Sequence, residues 1–285
     1  MKAAKGGGHH AGRKPTRLAL DHITVVDATP LQLAEAAYEA GFGAICPFLH
    51  SLDVMCAMPN YNMVTDRAMR ALFIERLDAL NLQVDVVYPF TLSKRTIVSE
   101  FKETLACAKE INASFVNVLL YDRDPESRQG NFARFCDLAR NFELRAVVEF
   151  YPASKIRNLE EAYELVASIG DPTVAGINVD ILHVLRSGGA IADILAIPPK
   201  YIAYAQLSDG SAHCAPDLLE REASEERMLP GQGDFDLQAF LGALPNECRI
   251  SVEVPRFSDL ARGVSLQARA AAAARAGEVV MAAQA

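Results

Sequence analysis

Four apolar runs in this chain each close on a side chain with metal-binding chemistry: VVEF on Glu149, GINVD on Asp180, YAQLSD on Gln206 and ISVEV on Glu253. In extended backbone, alternation puts these side chains on one face with Val147, Asn178, Tyr204 and Ser251, while Val148, Ile177, Leu207 and Val252 face the other way. Three carboxylates and one amide oxygen make a hard ligand set. It suits one divalent ion, Mn²⁺ or Mg²⁺ first, with Zn²⁺ and Co²⁺ as alternatives. Any one of the acids can be read more simply as a helix cap, and Asp180 is the best candidate for that. Glu149 and Glu253 suit it less, since proline follows closely at Pro152 and Pro255. Three carboxylates facing one cavity repel each other, which itself calls for a cation.

These residues need a scaffold that brings successive strand ends together. Strand-like runs occur at Leu18–Val26, Ala44–Phe48, Gln83–Tyr88, Phe115–Tyr121, Leu144–Phe150, Val174–Asp180, Tyr201–Ser208 and Arg249–Val254. Helical patterns lie between them: Thr29-Pro30 opens one that ends at Gly41, Thr65-Asp66 caps one reaching Leu80, and others span Thr96–Asn112, Glu126–Phe142, Asn158–Ile169 and Asp236–Leu244. The stretch after Asp180 is short and broken by Ser187-Gly188-Gly189. Eight such units predict an α/β fold of the (β/α)8 TIM barrel type, a single domain over residues 17–285. A doubly wound open sheet would also alternate, but no GxGxxG follows the first strand. Alanine dominates Leu260 to Ala285, which predicts a C-terminal helix or pair of helices. Residues 1–16 read as a disordered tail, so His9 and His10 are discounted as ligands.

The chain has 285 residues, is 51% hydrophobic and carries a net charge of −8. That balance argues against a nucleic-acid partner and suits an enzyme of small molecules. No apolar run is long enough to span a bilayer, and the basic start lacks the apolar core of a secretory signal. A cytoplasmic protein is expected, with its six cysteines reduced.

The order Glu149, Asp180, Gln206, Glu253 on strands five to eight resembles the xylose isomerase-like superfamily of sugar isomerases and epimerases. Asp180-Ile-Leu-His183 is similar to that superfamily's Asp-x-x-His, and Arg227-Met-Leu-Pro-Gly231-Gln-Gly233 to its Arg-x-x-Pro-Gly-x-Gly. The resemblance implies substrate contacts by His183 and Arg227. Gln206, where many sugar epimerases carry histidine, is similar to hydroxypyruvate isomerase and to the metal-dependent 3-dehydroshikimate dehydratases. Those dehydratases typically carry Glu-x-His on strand five, where this chain has Glu149-Phe-Tyr151. Strand two ends in Cys46-Pro47-Phe48 where many members have an acid. Tyr151 and His50 are expected to wall the pocket.

The chemistry that such a set performs is proton transfer next to a carbonyl. A chelated ion acidifies the C–H and stabilises an enediolate. Glu149 and Glu253 are the expected catalytic pair, one removing the proton and the other returning it. Return at the neighbouring carbon isomerises, return from the opposite face epimerises, and loss of a β-hydroxyl dehydrates. The leading expectation is an isomerase or epimerase of a small polyol, keto-sugar or keto-acid, free of any membrane or nucleic-acid partner and open to homo-oligomer assembly. The alternative is a lyase, a dehydratase of the 3-dehydroshikimate or inosose type. An endonuclease IV-like nuclease would need many more histidines, and a silent binding barrel would be expected to lose one of the paired glutamates. The polar segment from Asp209 to Phe235 is expected to cover the mouth as a lid.

Overall fold

The computed structural model describes residues 18–284, and the expected tail 1–16 lies outside them. Along the chain run β1 (Leu18–Asp21), α1 (Pro30–Ala40), β2 (Ala44–Cys46), α2 (Arg67–Leu80), β3 (Gln83–Val84), β4 (Val86–Leu92), α3 (Lys102–Glu110), β5 (Phe115–Leu120), α4 (Pro125–Arg140) and β6 (Arg145–Glu149). Then follow α5 (Leu159–Ile169), β7 (Ala175–Asp180), α6 (Ile181–Arg186), β8 (Ile202–Leu207), α7 (Leu219–Ser224), α8 (Leu237–Ala243), β9 (Arg249–Val252), α9 (Phe257–Ala261) and α10 (Leu266–Ala282).

All strands join one parallel sheet in the order β3-β2-β1-β9-β8-β7-β6-β5-β4. That order follows the chain around a ring without reversing, which excludes the doubly wound alternative. The expected third strand is two pieces separated by Asp85: β3 pairs with β2, and β4 pairs with β5. The sheet's two ends are therefore joined by the chain itself. Tyr88 N donates to Pro47 O at 3.1 Å and Leu49 N to Tyr88 O at 2.7 Å, carrying the ladder across this seam. Nine strands thus make the expected eight-unit barrel. Below the seam, Arg249 reaches from β9 to Asp85 Oδ1 and Ser114 Oγ, each at 2.7 Å.

Local chemistry explains the helix starts. Thr29 and Gln32 form a reciprocal capping box, Pro30 occupies the first turn, and Gly41 ends α1 at φ 91°. Asp66, Asn158 and Ser265 cap α2, α5 and α10 through their side chains. The outward strand residues Val148, Ile177, Leu207 and Val252 are fully buried under the helices.

The first strand is shorter than its apolar run. The Asp21 carboxylate accepts from Ile23 N at 3.3 Å, and His22–Val25 winds into a 3₁₀ turn. Both ring nitrogens of His22 are taken, Nε2 by Ala28 O at 2.9 Å and Nδ1 by Phe48 N at 3.1 Å. Burial lowers its pKa to about 4, so it is a neutral packing group. All six cysteines are free, and no described helix is long and apolar enough to cross a membrane.

The alanine-rich end forms α9 and α10, and α10 lies on α1 and β1 of its own chain. Its closest approach is at Gly277, where a Cβ would meet Leu18 Cδ1 at 2.7 Å and Val252 Cγ2 at 2.9 Å. Gly277→Val is expected to destabilise the protein by about 1–3 kcal/mol through overpacking. Urea unfolding should show this as a lower midpoint at unchanged slope; an unchanged midpoint would show that α10 has room to move.

The segment from Asp209 to Phe235 is pinned rather than loose. The Asp209 carboxylate accepts from Gly210 N at 2.8 Å, Gly231 N at 2.9 Å and Phe235 N at 3.1 Å. Arg186 forms a bidentate pair with Glu222 at 2.6 and 2.7 Å, donates to Ser211 O at 2.8 Å and lies 5.2 Å over the Phe235 ring.

Candidate metal centre

The C-terminal strand ends carry the candidate residues. Glu149 closes β6, Asp180 closes β7, Gln206 lies one residue before the end of β8, and Glu253 follows β9. Register pairs Glu149 with Asn178, Asp180 with Gln206, and Gln206 with Ser251, so the strands stand side by side at one level. All four candidate side chains are buried.

Asp180 does two things. Its Oδ1 accepts from Leu182 N at 2.8 Å and caps α6. That leaves Oδ2 to face the barrel, with His183 three residues on along the same helix face. His183 Nε2 lies 3.5 Å from Glu149 Oε1 and 3.6 Å from Asp180 Oδ2. Glu149, Asp180 and His183 can each offer one ligand atom, all within 4.8 Å of one another. Donors around an ion at about 2.0–2.2 Å sit roughly 3.0–3.5 Å apart, so a divalent ion fits this cluster with little adjustment. His183, expected as a substrate contact, thus also stands where it could offer a ligand atom.

Arg227 brings the other acid in. From the loop after β8 its Nη1 donates to Asp180 Oδ2 at 2.7 Å, its Nη2 lies 3.1 Å from Glu253 Oε1, and its Nε donates to Ala223 O at 2.9 Å. Burial opposes its charge, yet Asp180 and Glu253 hold its pKa above the ordinary arginine value. Burial pushes the Glu253 carboxyl well up, with Arg227 opposing. Gln206 turns Nε2 toward Glu253 Oε2 and Tyr88 Oη, the latter at 3.0 Å, while its Oε1 accepts from Asn178 at 2.8 Å.

One buried group at this end, Asp21, escaped the sequence reading. Tyr88 donates to Asp21 Oδ2 at 2.8 Å, and burial raises the Asp21 carboxyl to about 7. Asp21 ends the first strand, but its apolar run continues to Val26, so that position was not legible in the sequence. Tyr151 stands over His183 at 5.4 Å between ring centroids, and its hydroxyl meets that of Tyr121. His50 lies in the loop after β2, with Nδ1 bonded to Ser51 O at 2.9 Å. Cys46, at the end of β2, has its Sγ 3.1 Å from Tyr204 Oη.

The chain is 26% identical over 160 residues to an inosose isomerase of Bacillus velezensis, a match covering 53% of this chain and 55% of the relative. The matched stretch thus spans about half the length of that curated relative. Among solved structures, the IOLI protein with a bound zinc atom superposes with a TM-score of 0.75 at 18% identity, covering 95% of this chain and 99% of that one. A probable 3-DHS dehydratase of Bacillus anthracis gives a TM-score of 0.68 at 15% identity, covering 90% and 97%. At such identities these structures share the fold. The family model described as xylose isomerase-like TIM barrel matches residues 34–277, a span that holds every strand-end residue of the cluster. With the closed parallel barrel and its buried Glu–Asp–His cluster, that match establishes that the chain belongs to the xylose isomerase-like TIM barrel family.

Proposed function

We propose that the protein is a divalent-metal-dependent isomerase or epimerase of a small, uncharged polyhydroxy carbonyl compound. The observation that carries this reading is the buried Glu149–Asp180–His183 cluster, with Glu253 tied to it through Arg227. Glu149, Asp180 and His183 would hold the ion; the set expected from the strand ends adds Gln206 and Glu253. An imidazole in the set moves the preference from Mg²⁺ toward Mn²⁺ or Zn²⁺. When bound, such an ion supplies a Lewis acid that polarises a substrate carbonyl.

Glu149 and Glu253 are proposed as the two proton carriers. They lie on strands three places apart around the ring, as suits removal and return at different positions. His183 and Arg227 would orient substrate oxygens, with Tyr151 as the neighbouring wall. Among the described residues, Arg227 is the cationic side chain paired with Asp180 and Glu253, and His183 Nε2 lies near Glu149 and Asp180. Arg227 already serves two carboxylates and two backbone carbonyls. This favours a neutral polyol or keto-sugar over a keto-acid. A cytoplasmic setting and the absence of a nucleic-acid partner belong to the same proposal.

A dehydratase of the 3-dehydroshikimate or inosose type is the second reading, supported by the shared fold. Against it, position 151 presents a phenol bonded to Tyr121 in place of the imidazole such dehydratases carry.

Incubation of the metal-loaded protein with neutral inososes and ketoses in D₂O separates the two. The expected result is one deuterium at the carbon beside the carbonyl, in a product otherwise equal in mass to the substrate. Loss of water with a new conjugated absorbance would replace isomerase by dehydratase. No exchange with any such compound would remove both.

A further inference from the structure

Tyr121 and Tyr151 form a pair of phenols at the barrel mouth, beside the metal cluster. Tyr121 follows β5, and its N–H donates to Leu92 O at 2.8 Å, extending the ladder to β4. Tyr151 stands two residues beyond Glu149, with its N–H on Ile156 O at 3.1 Å and its carbonyl accepting from Ser154 N at 2.9 Å. Both backbones are therefore fixed within the protein. The rings meet edge to face with centroids 6.3 Å apart, and the two hydroxyls bond to each other. Tyr151 in turn lies 5.4 Å from the His183 ring, so the row Tyr121–Tyr151–His183 leads from the rim down to the cluster.

A phenol hydroxyl has one hydrogen to give and lone pairs to accept with, and with an ordinary pKa near 10 it keeps that hydrogen at neutral pH. Two hydroxyls bonded to each other use one hydrogen between them. The second hydrogen has no acceptor among the described residues, and lone pairs remain open beside it. The other tyrosines of this end are spent on the protein itself: Tyr88 donates to Asp21 at 2.8 Å and Tyr61 to Phe48 O at 3.2 Å. Water can serve an exposed phenol, and Tyr121 is 36% exposed. What marks this pair is its position, one ring contact away from a residue of the metal cluster.

A group that meets the pair on both counts must donate and accept at once. A neutral alcohol does so, whereas a carboxylate or phosphate dianion only accepts. The charged side chains that bear on both hydroxyls are Glu149 and Glu220, the latter exposed on α7, and both are acidic. An anionic group placed here would meet repulsion from both.

We propose that Tyr121 and Tyr151 form a hydroxyl-binding subsite for the end of the substrate remote from the reacting carbonyl, and that this end is a free alcohol in preference to a phosphate or carboxylate. The identity of that alcohol as part of a substrate rests on the isomerase or epimerase reading above, while the subsite itself does not.

The test uses Zn²⁺-loaded protein labelled with ¹³C at the tyrosine ζ-carbon, whose shift responds to the hydroxyl's hydrogen bonds. The chain has eight tyrosines, so Tyr121→Phe and Tyr151→Phe each assign one signal by removing it. The probes are glycerol and myo-inositol, with glycerol 3-phosphate as the anionic counterpart. Both assigned signals are expected to move saturably with at least one of the two polyols. Glycerol 3-phosphate should need a concentration about tenfold higher or more for the same shift. A smaller margin, or either signal indifferent to both polyols, would overturn the proposal. With a substrate identified by deuterium exchange, Tyr121→Phe should raise KM by about 3–10-fold at unchanged kcat, as expected for one lost neutral hydrogen bond. A loss confined to kcat would overturn the binding role. If the parent protein exchanges deuterium with no compound, the functional reading fails, and the tyrosine signals still decide the subsite.

Discussion

Glu253→Gln is expected to lower turnover by about 10²–10⁴-fold, the range of a positioned acid or base, while the barrel stays folded. The substitution keeps the side chain's size in a buried site whose two oxygens face Arg227 and Gln206. What it removes is the ability to take up and return a proton. Burial and the neighbouring acids Asp21, Asp180 and Glu149 favour the protonated carboxyl, and Arg227 opposes them. Such balanced surroundings are those in which a carboxyl can serve as either acid or base. The measurement is kcat at verified metal content, with circular dichroism as the control for folding. Full activity would take Glu253 out of the proton transfer.

Arg227→Leu has the largest expected effect on stability. The guanidinium is buried between Asp180 and Glu253, and its removal leaves two buried carboxylates without their cation. Breaking a buried pair from one side costs about 3–5 kcal/mol. A divalent ion replaces part of the lost positive charge, so saturating Mn²⁺ should raise the melting temperature of the variant more than that of the parent. Equal shifts in the two proteins would show that Arg227 and the ion do not share these carboxylates.

The barrel was legible because its strands are apolar runs of the right length and its helices carry caps such as Thr29 and Asp66. The seam at Asp85 was not, because Gln83–Tyr88 reads as one run and only pairing on both sides reveals the break. At the site, the strand-end acids could be read from alternation alone. Asp180 and His183 could be placed on one helix face, but that Glu149 of the neighbouring strand meets them depends on register, which one strand's sequence does not contain. Arg227 was visible as a motif residue, yet its grip on two acids depends on how the loop after β8 folds back. Alternation put Asn178 on the inward face, but Asn117 was an isolated asparagine in an apolar strand, and its bond to Glu149 depends on the neighbouring strand.

The seam also has a mechanical consequence. Around the ring it lies across from β8, which bears Gln206; β7 and β9, ending at Asp180 and Glu253, flank that strand, and β6 with Glu149 is one strand further round. β3 contributes only Gln83 and Val84 to the sheet. Opening there breaks fewer ladder bonds than opening between any of the strands that carry the acids, and local opening follows the cheapest route. The barrel thus behaves as a band with a clasp: flexure gathers at the fastening, and the arc opposite keeps its spacing.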